Sequence, residues 1–510
     1  MQNKLKEIKP ITYLIIAVFL FGSLIRLLGL SNYPAGLNQD EAFSGYEAYC
    51  LATTGADSFE YKNPVYLTVW GSGQSALNSY LIAPLIKIFG MKTFCIRLPQ
   101  AIVGCMSLLA IYLLFKKLLD EKAGLIAMFI LAVMPWHIME SRWGLDCNLA
   151  PEFLLFGLCF FVYGMEKPKY YIGSAIMYGL SLYSYATIWP IVPVILLIQI
   201  IYAAYYKKIQ LDKYFIVSAG IVTLFALPLL LFLLVNKDII NEIKTPVISI
   251  PKLLYMRESE ISFDNFFHKL QNLASIIWNQ SDGLPWNATE PFGLFYNFSL
   301  LFAGIGLIYM IYIIIKNFRK KECNGTIFLL LNLLVAIFLG CLIEVNINRI
   351  NSVFIPIIFC IIWGIIACGK LIWKYSIYFL VLLYFISFLK FGHYYVTDYN
   401  KEIGFYFQAG IQDAIKFATL QEGDIYINNV SYTKVLYCSQ TDPKLYRQTV
   451  QYTNYPSAFL DVSSFDRFHF GYDINQITLD ATYIIDISEK DAYQGLGFRI
   501  QEFQNFAVAY

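Results

Sequence analysis

Eleven apolar runs of near-bilayer length alternate with polar loops over the first 391 residues, at about 11–30, 97–115, 122–139, 149–165, 170–189, 191–206, 214–235, 295–315, 326–344, 352–369 and 375–391. Each reads as a membrane helix. The stretch 76–90, ALNSYLIAPLIKIFG, is shorter and contains Pro84, so it reads as a helix lying along the membrane surface. From residue 392 the pattern changes: apolar runs shrink to strand length, as in DIYINN, KVLYC and TYIIDI, and a helical stretch, FQAGIQDAIKF, precedes the first. That alternation predicts a small α/β domain. The expected fold class is a polytopic α-helical membrane protein of about 11 transmembrane helices (1–391), with a C-terminal α/β domain over 392–510.

Charge orients the helices. Lys4, Lys6 and Lys9 precede the first run, and alternate loops carry Lys116, Lys117, Lys122, Lys167, Lys169, Lys207, Lys208, Lys213, Lys316, Arg319, Lys320, Lys321, Lys370 and Lys374. The short loops between them hold little more than Arg142 and Arg349. The positive-inside rule therefore places the N-terminus in the cytoplasm. A first outer loop (31–96), a long outer loop (236–294) and the C-terminal domain then lie outside. If 76–90 also crossed, every later loop would break the rule.

Composition agrees. Apolar residues make up 58% and charged residues 15% of the chain, and mean hydropathy is +0.54. A net charge of +2 gives no reason to expect a nucleic-acid partner. The ten cysteines are scattered, five of them inside apolar runs, and read as small core residues. The first run is too long for a signal-peptide core, and no small-residue cleavage site follows it, so it reads as a retained helix.

The chemistry-bearing residues fall on the outer side. Asp40 and Glu41 are adjacent acids just beyond the first helix, in a position that also suits a helix N-terminus. Asp146 lies in a second outer loop, SRWGLD, where pairing with Arg142 would also close the loop. Lys62, Arg97 and Arg349 are cations on the same side. Carboxylates suit removal of a proton from a hydroxyl or the holding of a divalent metal, and cations suit a phosphate. Together they imply transfer of a group from a lipid phosphate to a hydroxyl. The segment WNQSDGLPWNATEPFG of the long loop suits contact with a sugar or an acceptor through Asp282, Trp286 and Asn287, or it packs on itself.

In order, the acidic pair DE, GADSFEYKNPVY, YLIAPLIKIFG with RLPQAIVG, PWHIMESRWGLD and NRINSVFIP resemble pieces of the C-superfold (GT-C) glycosyltransferases that use polyprenyl-phosphate sugars, the protein O-mannosyltransferases and aminoarabinose transferases among them. The resemblance covers about 1–391 and is strongest over 31–150. It implies an inverting transfer from a polyprenyl-phosphate sugar donor to a protein, polysaccharide or lipid acceptor. It assigns Asp40 as general base, Glu41 as its acidic neighbour, and Asp146 to acceptor or metal. It places Lys62, Arg97, Arg349 and, more weakly, Arg142 near the donor phosphate. In the aminoarabinose branch a Glu and a His reach a metal; Glu60 fits the Glu, while the lone His268 of the long loop reads as structural. No cofactor is otherwise implied. A transporter or lipid-sugar flippase is the rival reading, opposed by the scarcity of mid-depth charges; Arg26 is the exception and is expected to snorkel outward. A transferase using diphosphate-linked oligosaccharides is a second rival.

Overall fold

The computed structural model describes residues 10–256, 261–473 and 477–510; Lys4, Lys6 and Lys9 fall outside them. Among the described residues, eight helices are long and apolar enough to cross a membrane: Pro10–Leu27, Thr93–Leu118, Asp146–Gly164, Ala186–Tyr205, Lys213–Asn236, Ser299–Arg319, Asn351–Leu371 and Ser376–Val396. The other three expected spans are also helical but shorter. The run 122–139 breaks at Met134 into Glu121–Ala132 and Pro135–Glu140 because Pro135 has no amide to continue the ladder. The run 170–189 is helical as Tyr170–Leu182, and 326–344 as Thr326–Gly340. The helix Leu77–Phe89 falls short of a span and packs on Gln39–Thr54 through Ser79, whose hydroxyl donates to the Ser44 carbonyl.

Asn351–Leu371 is the core of the bundle, buried along nearly its whole length. Glycines let Ser299–Arg319 approach it: a Cβ at Gly306 would overlap the Cys360 carbonyl, and one at Gly364 that of Phe302. Arg26 does not snorkel. Its fully buried guanidinium donates to the Leu131 and Ala132 carbonyls, whose i+4 amides the break removes (Pro135 has none and that of Trp136 goes to Leu294), and to His137 Nδ1. His137 in turn pairs with Glu152 (3.1 Å).

Two short antiparallel ribbons form in the outer loops: β1 (Tyr66–Leu67) with β2 (Gln74–Ser75), and β3 (Ile243–Lys244) with β4 (Ser249–Ile250). The long loop also carries the helix Phe266–Asn279. The last membrane helix runs on to Val396, past the expected boundary at residue 391. The C-terminal domain is the expected α/β unit. Its strands are β5 (Ile425–Ile427), β6 (Gln451–Tyr452), β7 (Val462–Phe465), β8 (Phe468–Phe470), β9 (Thr482–Asp486), β10 (Ile500–Phe503) and β11 (Phe506–Ala509). They form one mixed sheet ordered β10-β11-β9-β5-β8-β7-β6, with β5 parallel to both neighbours. KVLYC, expected as a strand, lies in the helix Tyr432–Ser439. Tyr432, Val435, Leu436 and Ser439 also follow the helical i, i+3, i+4, i+7 spacing, and so short an apolar run cannot distinguish the two.

This domain does not hang free. Phe43, Tyr46, Ile82 and Ile96 of the first outer loop and its flanks share one apolar core with Val435, Leu436, Tyr437 and Phe465. The Tyr46 hydroxyl donates to the Thr441 carbonyl (3.1 Å), and the Leu460 amide to the Trp70 carbonyl (2.8 Å). Gly45 admits the Tyr437 ring, which a Cβ would meet at 2.7 Å.

Candidate active site

A cavity of about 830 Å³ opens where the outer loops meet the C-terminal domain. Asp40, Asp146 and Arg349 line it, far apart in the chain and brought to one space. Each is set by a separate device. Asn38, not Asp40, caps the helix Gln39–Thr54: its side-chain oxygen accepts the Asp40 amide (2.8 Å), and Glu41 reaches back to the Asn38 amide (3.1 Å). The Asp40 side chain is thereby left to face the cavity.

Glu41 and Arg97 are neighbours of the site, not part of its lining. Both are fully buried and joined by two parallel bonds, 2.7 and 2.9 Å. Arg97 spends its other donors on the Leu30, Pro34 and Gly36 carbonyls. The role near the donor phosphate expected for Arg97 is therefore not met, because a carboxylate already fills its fork. Glu41 also accepts the Gly144 amide (2.9 Å). That bond draws the second outer loop against the first, and sets Asp146 within electrostatic reach of Asp40.

Arg142 is likewise absent from the cavity lining. Its guanidinium caps the first helix, donating to the Ile25, Arg26 and Leu28 carbonyls and to Tyr33, and lies over the Tyr395 ring. Lys62 is exposed beside the cavity's outer loop and does not line it. Glu60 does not line the cavity; it pairs with Arg447 (2.7 Å) and so tethers the first outer loop to the C-terminal domain. His268 is exposed. Among the described residues, no group of three or more His, Cys, Asp and Glu could hold a metal ion.

Asp282, Trp286 and Asn287 do not line the cavity either; they brace it. Asp282 accepts both the Asn287 side-chain amide (2.8 Å) and the Ile347 amide (2.9 Å), which fixes the loop bearing Arg349. Trp286 packs on Tyr406. Asn351 then donates to the Cys147 carbonyl, tying the Arg349 loop to the Asp146 loop.

Several lining groups were not read from the sequence. Asn346 and Asn348 flank Arg349, and Trp70, Tyr185 and Trp189 supply aromatic surface. The C-terminal domain adds a whole wall, including Tyr432, Thr453, Phe459, Asp461 and Ser463. The amides of NINRIN and the aromatics of YSYATIW were visible as a signal; the distant wall was not. Behind that wall Lys434 is buried, donates to Gln408 (2.7 Å), and is pushed down to about 8 chiefly by burial, with Cys438, Glu41 and Asp40 pulling the other way.

Residues 74–232 match the family described as dolichyl-phosphate-mannose-protein mannosyltransferase. No curated protein sequence matches the chain significantly. Among solved structures, ArnT from Cupriavidus metallidurans bound to undecaprenyl phosphate superposes with a TM-score of 0.57 at 10% identity, over 98% of this chain and 97% of that one. Its apo state gives 0.51 at 10% identity, over the same shares of both chains. The Archaeoglobus fulgidus oligosaccharyltransferase in its apo form gives 0.50 at 11% identity, over 96% of this chain and 71% of that one. The matched segment and the shared fold support a glycosyltransferase, and the long apolar helices a multi-pass membrane protein, whose fold is like that of ArnT.

Proposed function

We propose that the protein transfers a sugar from a polyprenyl-phosphate donor to an acceptor hydroxyl at the outer face of the membrane, with inversion at the anomeric carbon. The observation that carries this is the convergence of Asp40, Asp146 and Arg349 on one cavity. The ArnT structure is of a complex with undecaprenyl phosphate, a lipid of the expected donor class. The cytoplasmic placement of the N-terminus, with the C-terminal domain outside, rests on the lysine-rich alternate loops.

Asp40 takes the acceptor proton as the oxygen attacks the anomeric carbon. The sugar–phosphate bond breaks in the same displacement, and the lipid phosphate leaves with its charge met by the Arg349 guanidinium. Asp146 holds the acceptor or shares the proton. Asp40→Asn is expected to lower transfer by about 10²–10⁴-fold, measured as sugar release from the lipid with the purified protein. Turnover near the wild-type rate would remove Asp40 as the base.

A further inference from the structure

The cavity has two walls of different chemistry. The membrane-domain wall holds the two acids and Arg349. The other wall comes from the C-terminal domain, with Trp70 leaning against it. Trp70 adopts a positive φ of 62°, unusual for a bulky residue. It is held there by stacking on Phe43 (5.1 Å), by the edge of Tyr432 (5.7 Å), and by the Leu460 amide on its carbonyl. Phe459, 55% exposed as a residue, lines the cavity. Its backbone is fixed by Asn454 Nδ2 on the carbonyl (2.7 Å) and by Ser457 Oγ on the amide (3.2 Å). Asp461 is fixed in the same way: its amide donates to Asn454 Oδ1 (2.7 Å), and its carbonyl accepts from Thr453 (3.0 Å).

Rigid aromatic faces beside a carboxylate and hydroxyls suit a ring with an apolar face and a hydroxyl rim. They suit an extended peptide poorly. A peptide adds to a sheet edge through backbone bonds, and the edge nearest the cavity, β6, is two residues long and irregular in register. Among the described residues the C-terminal wall itself carries a carboxylate, Asp461, and no cation, which disfavours an anionic acceptor there.

We propose that this wall is the acceptor subsite and that the acceptor is a neutral saccharide, its ring stacked on Trp70 and Phe459 and its hydroxyls bonded to Asp461. The inference rests on the transferase reading for its chemistry, but its test does not need turnover. Full-length protein in lipid nanodiscs would be titrated with neutral tetrasaccharides of mannose, glucose, galactose and N-acetylglucosamine, with tetragalacturonate, and with a Ser/Thr-rich peptide, all read by saturation-transfer NMR. At least one neutral saccharide should bind in preference to the galacturonate and the peptide. Phe459→Ala and Asp461→Asn should each weaken it by at least roughly tenfold while unfolding at the wild-type temperature, and Phe459→Tyr should retain it. Silence from all four saccharides, binding of the peptide alone, or full affinity in both variants would overturn the subsite. A separate measurement, the shift of unfolding temperature on adding undecaprenyl phosphate to wild-type protein, tests the donor: no shift there counts against the transferase reading and leaves a saccharide result standing.

Discussion

At the scale of single residues, two arginines that look alike in the sequence do opposite things. Arg97 and Arg349 are both isolated cations near a helix start, yet Arg97 is sealed on Glu41, 56 residues away, while Arg349 reaches the cavity. Which partner a guanidinium finds depends on how distant loops fold together, and one chain's sequence does not encode that locally. Removing one member of the buried pair strands the other's charge. Arg97→Met is therefore expected to cost about 3–5 kcal/mol of stability, read by thermal or denaturant unfolding, with the Asp40 side chain itself untouched. A second buried acid lies outside the membrane in the helix Gln39–Thr54. Glu47 is held above the ordinary carboxylate range by burial and by Asp57, itself pushed up by burial. The native state keeps a proton there that the unfolded chain gives up. Its stabilising effect is complete in acid and is lost as pH rises through the raised native value. Unfolding temperature should therefore fall on going from mildly acidic to alkaline buffer. Glu47→Gln can still accept the Ser58 amide and should flatten that decline.

At the scale of elements, the sequence disclosed the helices and the position of the acids, because membrane spans and loop charges are written in composition. The helix breaks came from Pro135 and from termini shorter than the apolar runs. The strand expected at KVLYC failed because eight residues satisfy two periodicities. Asp282 and Asn287, beside tryptophans, suit either a sugar contact or a self-packed loop in the sequence, and their hydrogen bonds hold a loop. Asp282→Ala is expected to raise the KM for donor, because the Arg349 loop loses its anchor, and misplacement by about 1 Å can cost 10²-fold in rate. Steady-state kinetics with varied donor would show it; unchanged KM and kcat would mean that Asn346, whose side chain accepts the Arg349 amide (2.8 Å), suffices alone.

At the scale of the whole molecule, the candidate active-site cavity is an interface. Its lining draws on the first and second outer loops, the loop before Asn351–Leu371, and the C-terminal sheet. A chain ended after Val396 would bare Phe43, Tyr46 and Ile96 and lose one wall. We expect it to lose transfer entirely and to aggregate in detergent, as size-exclusion chromatography would report.

The shared seam between Gln39–Thr54 and Tyr432–Ser439 has a bearing on biogenesis. Asp40 emerges from the ribosome about four hundred residues before Tyr432 and Asp461, so a nascent or truncated chain displays its acid without the wall opposite it. Under the proposed function, competence arrives only when the final segment has docked, which makes completion of synthesis the event that arms the enzyme.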